Sequence, residues 1–168
     1  MTDELRFCGH HVAMPYACFS SRYPSLFTAP ATGGDDDDVL TFHTVEQYTL
    51  YRKARLFGDA AAAVYIMAVQ AGEPPCGQCV RGFDRATWQA NARAIVAEGC
   101  WHKFSQNPRI AQILLSTGDR PLVDASPASV CVDVGQCLQE VRRRLLSLRP
   151  PASTGTTTAV RRPDTAPT

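Results

Sequence analysis

Between Thr44 and Leu148 apolar residues recur at helical spacing, and that periodicity is cut at fixed places by residues that start or stop helices. Thr44 and Gln47 stand three apart, the spacing at which a threonine hydroxyl caps the third helical amide and a glutamine reaches back. Gly58-Asp59 joins a residue suited to a helix C-terminus with one suited to capping the next helix. Asp84 precedes a run in which Trp88, Ala92, Ile95 and Val96 share a face. Asn107-Pro108 puts a capping residue before a proline at the first helical position, and Gly118 stops the run carrying Ile110, Ile113 and Leu114 as its buried stripe. The spacing predicts helices from 44 to about 58, over 60–71, from 84 to about 100, from 107 to about 118 and from 136 onward. The last carries Leu138, Val141, Leu145 and Leu148 on one stripe.

Outside these runs, residues 5–30 read as short extended pieces and turns punctuated by Pro15, Pro24 and Pro30, and Leu122-Val123 as a short extended link. In the stretch 31–38, Gly33-Gly34 precedes four aspartates; like charges at this density cannot pack, so an exposed acidic loop is expected. A calcium site is disfavoured there, because it needs alternating ligands around a shaped turn. Residues 150–168 hold no large apolar side chain except Val160 and are expected to be disordered. The chain therefore reads as mainly α, with short extended segments near the N-terminus and near residue 122.

A length of 168 residues supports one domain with its own core. Charge is uneven: the balance is −4 over residues 1–140 and +5 over 141–168. Arg142-Arg143-Arg144 reads as a solvated helix end complementing the helix dipole, with nucleic-acid or anionic-ligand contact as the sharper alternative. No window approaches the roughly 18 consecutive apolar residues of a membrane span. The polar start Met1-Thr2-Asp3-Glu4 is not a secretory signal, so a cytoplasmic address with no membrane partner is expected. Seven cysteines, an odd number, argue against a disulfide framework and for free, mostly buried thiols. Cys76 and Cys79 have metal-knuckle spacing, and Cys8, His10 and His11 are candidates to complete a zinc site. No second Cys-x-x-Cys accompanies them, so no metal is expected. Redox, acyl-transfer and phosphate-loop chemistries lack their motifs.

Glu46, Leu50, Lys53 and Phe57 fall on one helical face. An acid in a first helical turn is favoured by the dipole by roughly 0.3–1 kcal/mol without any catalytic role. An acid and a lysine on an otherwise apolar face are less readily explained as surface decoration. Trp88, alone in an apolar helix stripe, reads as core, though a flat indole is also able to stack on a base. Lys103 reads as a helix-end lysine facing water or as a phosphate partner, and Lys53 offers the same pair of readings.

Taken in order, Thr44-Val45-Glu46-Gln47-Tyr48, Lys53-Ala54-Arg55-Leu56-Phe57-Gly58-Asp59, Gly82-Phe83-Asp84 with Trp88, Lys103-Phe104-Ser105-Gln106-Asn107, the Leu114–Asp119 run and Leu122-Val123-Asp124-Ala125-Ser126-Pro127 resemble the NADAR family. These are small helical proteins linked to NAD and ADP-ribose metabolism, some of which cleave N-glycosidic bonds. The resemblance implies a compact multi-helical single domain over 1–149. It matches Glu46 to the family's principal catalytic glutamate and places Trp88 and Lys103 near the ligand. Phe19-Ser20-Ser21 is similar to the family's Phe-Ser-Asn-Phe loop, with Ser21 at the Asn position and Arg22 at the aromatic one. Asp124 keeps the acid of the family's Leu-Val-Glu-Ala-Ser-Pro-Tyr-Asp run. Ala128 and Ser129 replace its aromatic and its aspartate, and Val132-Asp133 replaces a following Trp-Gly, which makes Asp133 a candidate substitute carboxylate.

The function so implied is hydrolysis of an N-glycosidic bond in an ADP-ribose-like or phosphoribosyl compound, either ADP-ribosylated guanine or a riboflavin-pathway intermediate. Such cleavage passes through an oxocarbenium-like state that a carboxylate stabilises, and glycoside hydrolases commonly pair two carboxyls. Glu46 is assigned that role with Asp124 as helper, Trp88 stacks on the base, Lys103 and Lys53 hold phosphate, and Ser20 and Ser21 line the site. The implied partner is a small nucleotide or an ADP-ribosylated base, with nucleic acid only as carrier of modified guanine, and no cofactor. Two alternatives remain: a non-catalytic ADP-ribose or nucleotide-binding module, motivated by Ser129 and Val132, and a zinc-stapled interaction protein using Cys76 and Cys79.

Overall fold

Three helices begin on a side-chain cap at the residues whose spacing announces one. The computed structural model describes residues 3–9, 14–32, 38–69, 80–126 and 132–148. Helix α1 (Val45–Leu56) starts at Thr44, whose hydroxyl accepts the Gln47 N–H at 3.0 Å. Helix α2 (Ala60–Ala68) starts at Asp59 and helix α3 (Arg85–Gln106) at Asp84, each carboxylate accepting the amide three residues on. Gly58, at φ +71°, makes the α1–α2 turn in the left-handed region that glycine adopts without penalty. Helix α4 (Pro108–Ser116) follows α3 after the single residue Asn107. Asn107 does not cap with its side chain; its Nδ2 donates to the carbonyls of Leu26 and Lys103 instead. Gln47 likewise does not close a capping box on Thr44. Its Oε1 accepts from His43 N–H and its Nε2 donates to Ile66 O, tying α1 to α2.

Several boundaries and faces differ from expectation. Helix α3 runs six residues past Cys100, because buried Gly99, Cys100, Lys103 and Phe104 continue the apolar face. Helix α5 (Val134–Ser147) begins two residues before Gln136, on Asp133. On α4 the buried residues are Ile110, Ala111 and Leu114, while Ile113 is 40% exposed. Leu148 at the end of α5 is also exposed. Arg142 is not solvated: it is 5% exposed, and its Nη1 donates to Thr117 Oγ1 at 2.7 Å and Arg120 O at 3.0 Å, clasping α5 to the turn after α4. Arg144 stacks on Trp101 at 3.6 Å.

The extended segments pair, which makes the fold mixed α/β though mainly helical. Strand β1 (Leu5–Phe7) pairs in parallel with β4 (Leu122–Asp124), with Leu5, Phe7 and Leu122 buried. Strands β2 (Phe27–Pro30) and β3 (Val39–Phe42) form an antiparallel hairpin closed by Ala31 N–H to Asp38 O. Backbone groups in such short pieces need partners once their side chains are buried, and strand pairing supplies them. Residues 33–37, with Asp35, Asp36 and Asp37 of the acidic loop, and the tail from 149 lie outside the described residues, as do Cys76, Cys79 and Ser129.

Helices α1 and α3 run in opposite senses. Val45 and Tyr48 face Gly99, while Lys53 lies near Trp88 at the other end. A Cβ on Gly99 would stand 2.7 Å from Tyr48 Cδ1, so glycine sets this close approach. A Cβ on Gly135 would stand 2.0 Å from Leu122 O, which seats the start of α5 directly on β4. Phe42, Tyr48, Phe104, Leu114 and Leu138 are fully buried between these elements. No described helix is long and apolar enough to cross a membrane.

Candidate active site along helix α1

The start of α1 is tied to the loop 20–22 by both main chain and side chain. The Glu46 N–H, one of the first-turn amides that no helical carbonyl serves, donates to Ser21 O at 3.0 Å. The Arg22 Nε donates to Glu46 Oε1 at 3.0 Å. Ser20 Oγ accepts the Arg22 N–H at 3.2 Å, closing the loop on itself. The Glu46 side chain is 27% exposed, and among the described residues its Oε2 carries no hydrogen bond.

Lys103 supports this loop from inside. It is 1% exposed, and its Nζ donates to Ser20 O at 2.9 Å. The ammonium also lies 5.4 Å from the ring centroids of Tyr23 and Phe104. Burial pushes its pKa down to about 8, opposed by the nearby thiols of Cys100 and Cys18. The reading of Lys103 as a helix-end lysine facing water is therefore corrected: α3 does not end before it, and position 103 falls on the buried face. Ser20 is buried with its hydroxyl and carbonyl both engaged in the loop. Ser21 is partly exposed.

Lys53 lies two turns further along the same face of α1, about 10 Å along the axis from Glu46. Its Nζ stands 4.3 Å from the ring centroid of Phe83 and 5.5 Å from that of Trp88. Trp88 is buried in the core. Phe83, packed edge-on against Phe57, is 45% exposed and offers the open ring at this end. Phe83 was not singled out from the sequence as a site residue; its signal is the Gly82-Phe83-Asp84 turn, in which Gly82 at φ +72° swings the chain before α3.

Ser20, Ser21, Glu46 and Lys103 are thus joined through one loop, and Lys53 and Trp88 meet at the far end of the same helix face. Asp124 is not joined to them. Its Oδ1 accepts the Ser126 N–H at 2.9 Å, and no hydrogen bond or ion pair among the described residues connects it to Glu46. Asp133, weighed as a substitute carboxylate, caps α5, its Oδ1 accepting the Gln136 N–H at 3.1 Å. Among the described residues no three His, Cys, Asp or Glu side chains are grouped to hold a metal ion.

The NADAR domain model matches residues 6–136. The chain is 34% identical over 124 residues to an N-glycosidase of Acanthamoeba polyphaga mimivirus, covering 73% of this chain and 71% of that protein. It is 30% identical over 122 residues to an N-glycosidase of Nostoc punctiforme, covering 70% and 72%. Protein irg-1 of Caenorhabditis elegans is 30% identical over 133 residues, 71% of this chain and 61% of its own length. The NMR structure of the Escherichia coli protein YbiA shares the fold, with a TM-score of 0.68 over 88% of each chain at 20% identity. The matched region contains the loop 20–22, both ends of the α1 face and β4, and this chain belongs to the NADAR family.

Proposed function

We propose that this protein is an N-glycosidase-type hydrolase acting on an ADP-ribose-like or phosphoribosyl compound. Relatives named N-glycosidase at 34% and 30% identity support the reaction class. The observation that carries the reading is Glu46: a carboxylate at a helix start, held at one oxygen by Arg22 and open at the other. In the proposed reaction the bond between the sugar carbon and the base nitrogen breaks, with its electron pair leaving on the base. Glu46 stabilises the positive charge on the sugar and takes a proton from the attacking water. The water oxygen bonds the sugar carbon, and the proton passes from Glu46 through solvent to the released base, which restores the carboxylate.

The α1 face suits an extended ligand. With the reacting ribose at Glu46, a phosphate group reaches Lys53, and a distal base lies against Phe83 above buried Trp88. Lys103 then serves the site by fixing Ser20 and Ser21. ADP-ribosylated guanine would span the whole face, whereas a phosphoribosyl riboflavin precursor, which ends at its phosphate, would reach only from Glu46 to Lys53. Binding without turnover is the second reading, motivated by Ser129 and Val132 in place of the family's acid and tryptophan and by Asp124, whose Oδ1 is engaged by the Ser126 N–H.

Incubating the purified protein with each compound and measuring free base tests the proposal. Base release that Glu46→Gln abolishes supports it. Absence of release with ADP-ribose still bound supports the binding module, and equal release by Glu46→Gln removes Glu46 from the reaction.

A further inference from the structure

We infer that Arg22 is a positioning residue for Glu46, an inference that rests on the reading of Glu46 as the reactive carboxylate. Three consecutive residues of the loop are each tied down. Ser20 O receives the buried Lys103 ammonium, Ser21 O receives the Glu46 N–H, and Arg22 Nε reaches Glu46 Oε1 at 3.0 Å. The Arg22 backbone is closed on Ser20 Oγ, so the root of its side chain is held as well. The guanidinium thus approaches the carboxylate from a fixed base, along a charge-assisted bond of normal length. It occupies Oε1 and leaves Oε2 without a hydrogen-bond partner among the described residues. A carboxylate held at one oxygen presents the other in one direction, which free rotation of a first-turn glutamate would not.

Side-chain exposures of 47% for Arg22 and 27% for Glu46 mark this as a surface pair. Such pairs contribute little to stability, so Arg22→Ala is expected to fold and to melt with the wild type. Misplacing a reacting group by about 1 Å costs on the order of 100-fold in rate. Arg22→Ala is therefore expected to lower kcat by about 10- to 100-fold with KM changed less than about threefold. Millimolar guanidinium should restore part of the rate in Arg22→Ala and none in the wild type. Arg22→Lys should retain an intermediate rate, and Arg22→Ala combined with Glu46→Gln should be no slower than Glu46→Gln alone.

A fall in kcat that guanidinium does not relieve would overturn the inference, as would a wild-type kcat in Arg22→Ala. Should Glu46→Gln keep full turnover, the reading of Glu46 fails and this inference with it; an inactive Glu46→Gln beside a fully active Arg22→Ala removes this inference alone. A readout independent of turnover is the carboxyl carbon resonance of Glu46 in carbon-13 glutamate-labelled protein, assigned by its loss in Glu46→Gln. It is expected to move in Arg22→Ala, and an unmoved resonance would show that Arg22 does not hold the carboxylate.

Discussion

Replacing Lys103 with methionine separates what a buried amine costs from what it holds. The side chain is 1% exposed and donates one hydrogen bond, to Ser20 O at 2.9 Å. Burial lowers its pKa from 10.5 to about 8, and at 1.36 kcal/mol per unit that difference is worth about 3 kcal/mol. The folded protein gives up this proton near pH 8 and the unfolded chain only near 10.5. Between those values the unfolded chain binds more protons, so the contribution of Lys103 to stability rises with pH across the window. Below about pH 8 the full cost of burying the ammonium is present; above about pH 10.5 both states are neutral and it is gone. Methionine carries no such cost but removes the charged donor from the Ser20 carbonyl, which keeps only the Tyr23 N–H at 3.2 Å, a loss of about 1–3 kcal/mol. Near neutral pH the two effects offset, and Lys103→Met should lie within about 2 kcal/mol of the wild type in either direction. By about pH 10 the wild type should have gained about 3 kcal/mol that the variant does not. Urea unfolding of both proteins across this range measures the difference, in which the other titrating groups largely cancel. A difference that stays constant with pH, or that shifts in favour of the variant as pH rises, would show that burial of the Lys103 ammonium carries no such cost.

Other perturbations follow from close approaches and caps. Gly135→Ala puts a Cβ 2.0 Å from the Leu122 carbonyl oxygen, backbone that cannot yield cheaply, and should cost about 3 kcal/mol or more in denaturant unfolding. Gly99→Ala meets the fully buried Tyr48 ring at 2.7 Å. Overpacking of about 1–3 kcal/mol should outweigh a helix-propensity gain of about 1 kcal/mol, leaving a net loss in the same assay. Asp59 accepts the Arg81 and Ala62 amides, which hold its carboxyl below the usual range. Its contribution is present at neutral pH and lost as pH falls through the carboxylate range, so Asp59→Ala should lower Tm at neutral pH and lose that deficit in acid.

Local chemistry was legible in the sequence, and contacts across distance were not. Thr44, Gly58-Asp59, Asp84 and Gly118 mark helix ends because caps and left-handed turns depend on residues three or four apart. The same logic missed Asp133, which stands at a departure from the family motif and was weighed as a carboxylate rather than a cap. Three-residue strands carry almost no periodicity, and β1 finds its partner only at Leu122, so pairing was invisible where extended character was not. Helix position and charge leave Lys103 as a water-facing helix-end lysine or a phosphate partner, and Arg142 as part of a solvated helix end. Their burial follows from acceptors supplied by distant turns, Ser20 for one, Thr117 and Arg120 for the other. In the site, the shared face of Glu46 and Lys53 was readable from helical spacing. The grip of Arg22 on Glu46 spans 24 residues and had no local signal beyond an arginine where relatives carry an aromatic.

The central claim is that Glu46 performs chemistry rather than binding. Single-turnover release of base from ADP-ribosylated guanosine, measured beside ADP-ribose affinity, tests it most directly in wild type and Glu46→Gln. Glu46→Gln is expected to lose release by a factor of about 100 or more while affinity changes only a few-fold. A variant that releases base at the wild-type rate, or that loses affinity and rate together in equal measure, would contradict it.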